Sequence, residues 1–256
     1  MAFAERCALK HVVLVTGGSR GIGRATALLA AGKGYAVAVN YTANSLAADE
    51  VVRLIRSAGG TAITVKADVS VEADVLAMFK KIDARLGHLT ALVNNAGVVD
   101  ATSRVDAMSA SRLQRMFAIN VLGSFMCARE AIRRMSTRYN GKGGSIVNVS
   151  SAAARLGAPG QYVDYAAAKG AIDTFTLGLA KEVASEGIRV NAVRPGIIAT
   201  DIHASGGLPD RARDLAPLVP MQRAGTAAEV AEAIVWLMGE NSAYTTGALI
   251  DVAGGR

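Results

Sequence analysis

Apolar residues in this chain fall into two spacings that alternate along its length. Short runs rich in Val, Ile and Ala have strand length and almost no polar alternation: VVLVT at 12–16, AVAVNY at 36–41, AITVKADV at 62–69, ALVNNAG at 91–97, SIVNVSS at 145–151, IRVNAVRPG at 188–196 and ALIDVAG at 248–254. Runs of that kind read as strands buried on both faces. Between them, segments at about 21–33, 45–58, 71–86, 109–137, 164–186 and 226–239 repeat their apolar positions at helical spacing, with Ser70, Ser109 and Thr226 where N-caps are expected. Seven strands alternating with helices predict an α/β fold, a doubly wound parallel seven-stranded sheet of Rossmann type with helices on both faces. No repeat, low-complexity tract or linker interrupts the pattern, so residues 1–256 are expected to form a single domain. One stretch is irregular: DIHASGGLPDRARDLAPLVPMQ at 201–222 holds three prolines and two adjacent glycines. It follows the sixth strand, at the edge where such sheets bind ligands, and reads either as a substrate lid or as an ordinary surface excursion.

Composition narrows the class. A chain of 256 residues, 51% hydrophobic and 19% charged, can bury a sizeable core and is too apolar for a disordered protein. No run of about eighteen apolar residues exists, and MAFAERCALK at the start carries charges where a leader would need its apolar core, so a soluble, cytoplasmic protein without a membrane segment is expected. Two cysteines, Cys7 and Cys127, exclude a disulfide framework, and His11, His88 and His203 are too scattered for a metal site. The net charge of +7 and pI near 9.6 could mean nucleic acid, an anionic surface or an acidic small molecule, but no aromatic residues interleave with the densest basic stretch as a stacking platform requires, so no nucleic-acid partner is expected. The densest basic stretch, Arg129, Arg133, Arg134, Arg138 and Lys142, closes a long helical pattern, where cations suit the helix C-terminus and a solvated face explains them.

Candidate chemistry begins at TGGSRGIG, which leaves the first strand and opens the first helix, the placement a dinucleotide site requires. Within Thr16, Gly17, Ser19, Arg20, Gly21, Ile22 and Gly23, the first motif glycine permits a tight turn, the second a close approach of pyrophosphate, and the third close packing of helix on sheet. The helix N-terminus then faces the phosphates. A turn without a ligand would use glycine as well. Tyr165 and Lys169, four apart on a helix, share one face. A cation within about 4 to 6 Å lowers a phenol pKa of about 10 by roughly 1 to 3 units, although the same spacing also serves surface pairs. Asn120 lies in the middle of the long 109–137 pattern, a poor position for a side chain that competes with backbone hydrogen bonds.

TGxxxGxG at Thr16–Gly23, NNAG at Asn94–Gly97, Ser151, YxxxK at Tyr165–Lys169, and Pro195 with Gly196 occur in this order, and with them the chain resembles the short-chain dehydrogenase/reductase family from about residue 10 onward. The resemblance implies hydride transfer between a nicotinamide cofactor and a small carbonyl/alcohol substrate, without a metal. Tyr165 would be the acid/base, Ser151 would orient the substrate oxygen, and Lys169 would hold the nicotinamide ribose and tune the phenol. Asn120 would hold a water linking the lysine to solvent. Asp68 and Val69 would receive the adenine, Asn94, Ala96 and Gly97 would line the ribose, Pro195 and Gly196 would lie under the nicotinamide, and Ile198 and Thr200 would hold its carboxamide. The family also implies a homotetramer built on the helices at 109–137 and 164–186, whose apolar residues include Met116, Phe117, Val121, Phe125 and Met126, and Phe175, Leu177 and Leu179.

One departure stands out: the interval between Gly160 and Tyr165 is one residue longer than the family's, which is expected to bulge ahead of the helix. Ser151 keeps the interval to the tyrosine closer to the usual one than Ser150 would, and Tyr162 lacks a lysine four residues on. For the cofactor, the second strand ends in Asn40, Tyr41 and Thr42 with no acid until Asp49, and Arg20 matches a basic position that grips a 2′-phosphate in some members. NADP(H) is therefore expected ahead of NAD(H). The motifs do not choose a substrate, since 3-oxoacyl thioester reductases and sugar dehydrogenases both look like this chain. A catalytically silent nucleotide-binding or scaffold protein, or a basic nucleic-acid-binding protein, are the readings from other classes.

Overall fold

A computed structural model of the chain describes residues 11–201, 206–208 and 210–256. Cys7, His203 and part of the 201–222 stretch lie outside the described residues. In chain order the strands are β1 (Val12–Val15), β2 (Ala36–Tyr41), β3 (Ala62–Lys66), β4 (Ala91–Asn94), β5 (Gly144–Val149), β6 (Ile188–Pro195), β7 (Ile198–Ala199), β8 (Gly225–Thr226) and β9 (Leu249–Val252). The helices are α1 (Gly21–Gly32), α2 (Ser45–Ser57), α3 (Glu72–Leu86), α4 (Ala110–Phe117), α5 (Gly123–Met135), α6 (Ala153–Leu156), α7 (Val163–Val183), α8 (Arg211–Leu215) and α9 (Ala227–Met238).

Seven strands pair in parallel in the order β3-β2-β1-β4-β5-β6-β9, the expected single-domain doubly wound sheet. The chain reverses its direction of travel between β1 and β4, which opens a crevice at their C-terminal ends. Strand alternation divides the core between two faces. Val12 and Leu14 pack with Met78 and Phe79 of α3, Met135 of α5 and Val183 of α7, while Val13 and Val15 pack with Ala27 of α1, Ile55 of α2 and Ile234 of α9. A separate short pairing of β7 with β8 ties the segment after β6 to the start of α9.

Local chemistry sets the element ends, in places differently from expectation. Ser109 accepts from the Arg112 N–H at 3.2 Å, and Thr226 forms a reciprocal capping box with Glu229. Ser70 does not cap α3: its hydroxyl donates to Asp68 at 2.6 Å, and the helix starts beyond Val71 without a side-chain cap. β3 stops at Lys66, so Asp68 and Val69 lie past the strand rather than in it. The helix expected over 109–137 is interrupted by a π turn, Ala118–Leu122, between α4 and α5.

The basic stretch on α5 is largely neutralised: Arg129 pairs with Glu72 at 2.7 Å, Arg134 with Asp83 at 2.8 Å, and Arg133 with Glu130 at 2.8 Å. Of the apolar residues on the two long helical segments, Met116, Val121 and Leu179 are core, whereas Phe117, Phe125 and Leu177 are exposed. Burial pushes the Cys127 thiol up to about 12, which keeps it an unreactive core residue. Among the described residues no His, Cys, Asp and Glu side chains gather as a metal site, and no helix is long and apolar enough to cross a membrane.

Candidate active site

The glycine loop has the geometry of an anion cradle. Gly17 and Gly21 hold φ of +60° and +52°, in the left-handed region where a side chain is strained. A Cβ on Gly23 would run into the Gly17 carbonyl and the Asn95 amide. Arg20 at the N-cap of α1 is extended and offers no side-chain cap, and the first turn of α1 carries no acid. Its N–H groups and dipole are left for an anion, so the pyrophosphate of a dinucleotide fits the loop. Arg20 itself is exposed, and its guanidinium forms no ion pair among the described residues.

Behind the loop, amide and hydroxyl groups are used up in holding it. Thr16 Oγ1 accepts from the N–H groups of Asn95 and Ala96, at 2.9 and 3.0 Å, and the Asn95 amide donates to the carbonyls of Thr16 and Gly17. Asn40 is buried; its Oδ1 accepts from Gly17 N–H at 3.0 Å and its Nδ2 donates to the Val65 and Ala67 carbonyls. The side chain expected to face the adenosine ribose is thus turned inward, and Tyr41 and Thr42 are the residues presented at the end of β2. Asn94 is likewise turned into the core. It donates to Asn148 at 3.0 Å, and Asn148 donates to Thr176 on α7, whereas Gly97 of the same turn lines the cavity. The Asp68 carboxylate accepts from both N–H and hydroxyl of Ser70, and Val69 packs where a Cβ on Gly123 would stand 2.7 Å from its side chain.

At the other end of the crevice the two serines after β5 separate by burial. Both serines border the cavity, but the Ser150 side chain is buried and donates to the Lys169 carbonyl at 3.2 Å, whereas Ser151 is half-buried and accepts from the Ala153 N–H. Of the two, the Ser151 hydroxyl is therefore the more accessible. The turn before α7 holds Gly157, Ala158 and Gly160 with positive φ, and α7 begins at Val163. Chain length ahead of Tyr165 is accommodated in that turn, leaving Tyr165 and Lys169 on consecutive turns of the helix. The start of α7 is clamped by Arg112 of α4, which donates to the buried Asp164 carboxylate at 2.8 and 3.2 Å and to the Ala101 carbonyl.

Burial controls the protonation of both central groups. The Tyr165 phenol is pushed up to about 12 by burial, against the hydrogen-bonding pull of Ser151. The Lys169 ammonium is pushed down to about 8 by the same cause, with Asp173 opposing it. Lys169 Nζ donates to the Val149 carbonyl at 2.7 Å and lies 5.6 Å from the Tyr165 ring centre. The lowering expected from the lysine does not act on the phenol here: what moves it is burial, opposed by the Ser151 hydroxyl and reinforced by Tyr162. Asn120 occupies the π turn and is fully buried; its Oδ1 accepts from Val98 N–H at 3.1 Å, and its Nδ2 donates to the Val98 and Met116 carbonyls at 3.0 Å. Its amide pins the loop after β4. A Cβ on Gly97 would stand 2.7 Å from Asn120 Oδ1, which explains glycine at that position.

Ile22, Gly97, Ser151, Tyr165, Lys169, Pro195, Gly196, Ile198 and Thr200 come together around one cavity of about 480 Å³, within the range of small-ligand sites. Gly196 turns the chain below it, where a Cβ would stand 2.7 Å from Ala253. Five residues for which the sequence gives no site expectation also line the cavity: Asn95, Gln161, Tyr162, Arg211 and Arg256. Asn95 sits inside the NNAG motif and was within reach of the sequence, whereas Arg211 and Arg256 arrive from distant segments and carry no motif.

A family model described as enoyl-(acyl carrier protein) reductase matches residues 17–256. An uncharacterized oxidoreductase of Escherichia coli, YgfF, is 57% identical over 245 residues, covering 96% of this chain and 99% of the relative. A 3-oxoacyl-[acyl-carrier-protein] reductase of Synechocystis is 40% identical over 96% of both chains. Among solved structures, a mutant of a Serratia marcescens short-chain dehydrogenase/reductase superposes with a TM-score of 0.88, at 33% identity, over 96% of this chain and 97% of its own.

Proposed function

The chain belongs to the short-chain dehydrogenase/reductase family of oxidoreductases, and we propose that within it the protein reduces a small carbonyl compound with NADPH, Tyr165 acting as the acid. The observation that carries this reading is the pairing of Ser151 and Tyr165 on the wall of one cavity, with Lys169 one helical turn on. A bound reduced nicotinamide supplies the hydride. The protein supplies the proton and the position. A phenol held near 12 is fully protonated at neutral pH, which suits a group that gives a proton to a carbonyl oxygen. Ser151 orients that oxygen by donating a second hydrogen bond. Once the proton has left, the Lys169 ammonium stabilises the phenolate and also holds the nicotinamide ribose hydroxyls. Asn120 contributes by fixing the loop after β4 against the helix that carries it.

Preference for NADPH rests on the end of β2 and on Arg20. Tyr41 and Thr42 present no carboxylate there to repel a 2′-phosphate, and the exposed Arg20 can bind one through paired hydrogen bonds. Gly206 and Arg211, from the described part of the 201–222 stretch, line the cavity, which supports a role for these residues at its substrate half. The exposed Phe117, Leu122, Phe125 and Leu177 give the long helices an apolar face that a homotetramer would bury. The test of the cofactor assignment is a titration with both reduced cofactors. Arg20→Ala is expected to weaken NADPH far more than NADH; equal losses, or a wild-type preference for NADH, would overturn it.

A further inference from the structure

The charged side chains lining the cavity are all cations: Lys169, Arg211 and Arg256, with no Asp or Glu among the described lining residues. Lys169 is accounted for by the reading above. The two arginines are not, and neither pairs with a carboxylate among the described residues. Arg211 is held only by neutral groups, donating to Gln161 Oε1 at 2.6 Å, with its guanidinium 5.1 Å over the Tyr162 ring. Arg256 Nη1 is buried with no hydrogen-bond acceptor. A guanidinium carries five N–H donors, and a desolvated one without an acceptor is costly. Much of the remaining wall of the cavity is apolar, including Leu156, Pro159 and Ile197, which strengthens any charge interaction inside it.

We propose that the carbonyl substrate carries a carboxylate and that Arg211 and Arg256 receive it, so that the enzyme is a reductase of small oxo acids. The proposal rests on the carbonyl-reductase reading for the reaction, but its recognition element is separate. Guanidinium and carboxylate match in planar, two-bond geometry. A substrate anchored at that end presents its carbonyl toward Tyr165 and Ser151 on the same cavity wall. The cavity, shared with the nicotinamide, favours a compact molecule over a long acyl chain.

The experiment compares charged and neutral probes of one shape on the full chain saturated with NADPH. Benzoate and benzamide are titrated by calorimetry, and the reduction of 4-formylbenzoate and 4-formylbenzamide is followed at the nicotinamide absorbance. Benzoate is expected to bind at least about tenfold tighter, with that advantage lost in Arg211→Gln and Arg256→Gln and mostly carried by KM in the aldehyde pair. Equal binding of the two probes, or unchanged discrimination in both variants, would overturn the proposal. Should a variant fold poorly, the wild-type comparison still decides, because loss of the benzoate advantage with rising salt is expected only if charge carries it. Reduction of both aldehydes without discrimination would sink the carboxylate site alone. Discrimination in binding without reduction of either aldehyde would support the site and count against the reductase reading.

Discussion

The two ends of the crevice use their polar groups in opposite ways. At the glycine-loop end, Thr16, Asn40, Asn94 and Asn95 are committed to holding one backbone segment to another. At the Tyr165 end, groups with chemistry left to perform face the cavity: a phenol and an ammonium displaced from their ordinary pKa values, and two arginines without carboxylate partners among the described residues. The first end is a rigid cradle that offers main-chain N–H groups to an anion. The second stores unsatisfied polarity that a substrate and cofactor can satisfy. Placement on a shared sheet edge thus says less about a residue's role than whether its hydrogen bonds are already spent.

The largest expected effect tests a polar pair beside Tyr165 whose bonds are already spent, Arg112 with Asp164. Arg112→Ala would strand the buried Asp164 carboxylate at the start of α7, and breaking a buried pair typically costs about 3–5 kcal/mol. Urea unfolding measures it, and a loss below about 1 kcal/mol would show that the clamp carries little.

Lys169 allows the unsatisfied end to be read through pH. Its pKa is about 8 in the folded protein, below the ordinary lysine value of about 10.4 expected unfolded. The unfolded chain therefore binds more protons between those values, so the burial penalty is fully present below pH 8 and relieved as pH rises toward about 10.4. Measured against Lys169→Met, wild-type stability is expected to improve across that window by on the order of 3 kcal/mol. A difference between the two proteins that does not change with pH would place the lysine in a far wetter site.

Asn40→Ala probes the spent end, with a smaller effect. It removes the acceptor for Gly17 N–H and the donor to two β3-side carbonyls, for an expected loss of about 1–3 kcal/mol. Cofactor affinity should fall with it, because the loop loses its support. Unchanged stability with weakened cofactor would instead make Asn40 a direct contact and erase the contrast between the ends.

Much of the fold is legible because long apolar runs and helical periodicity leave few alternatives; all seven strands of the sheet lie where VVLV, AVAVNY and their successors place them. The direction in which strand-end asparagines point is not legible. β2 is apolar on both faces, so no alternation marks which side Asn40 takes. The π turn at Asn120 is hidden for a similar reason, since the apolar spacing runs through it without a break. Ser70 has the composition of a cap, but Asp68 competes for its hydroxyl. Arg211 and Arg256 come to line one cavity with Tyr165 only through the tertiary fold, which no local pattern records.

The central claim is that Tyr165 supplies the proton, and Tyr165→Phe tests it most directly because it removes the hydroxyl and keeps the ring packing. Turnover in carbonyl reduction should fall by about 10² to 10⁴-fold, with NADPH binding and the unfolding midpoint close to wild type. Near wild-type turnover in a folded, cofactor-binding variant would contradict the account.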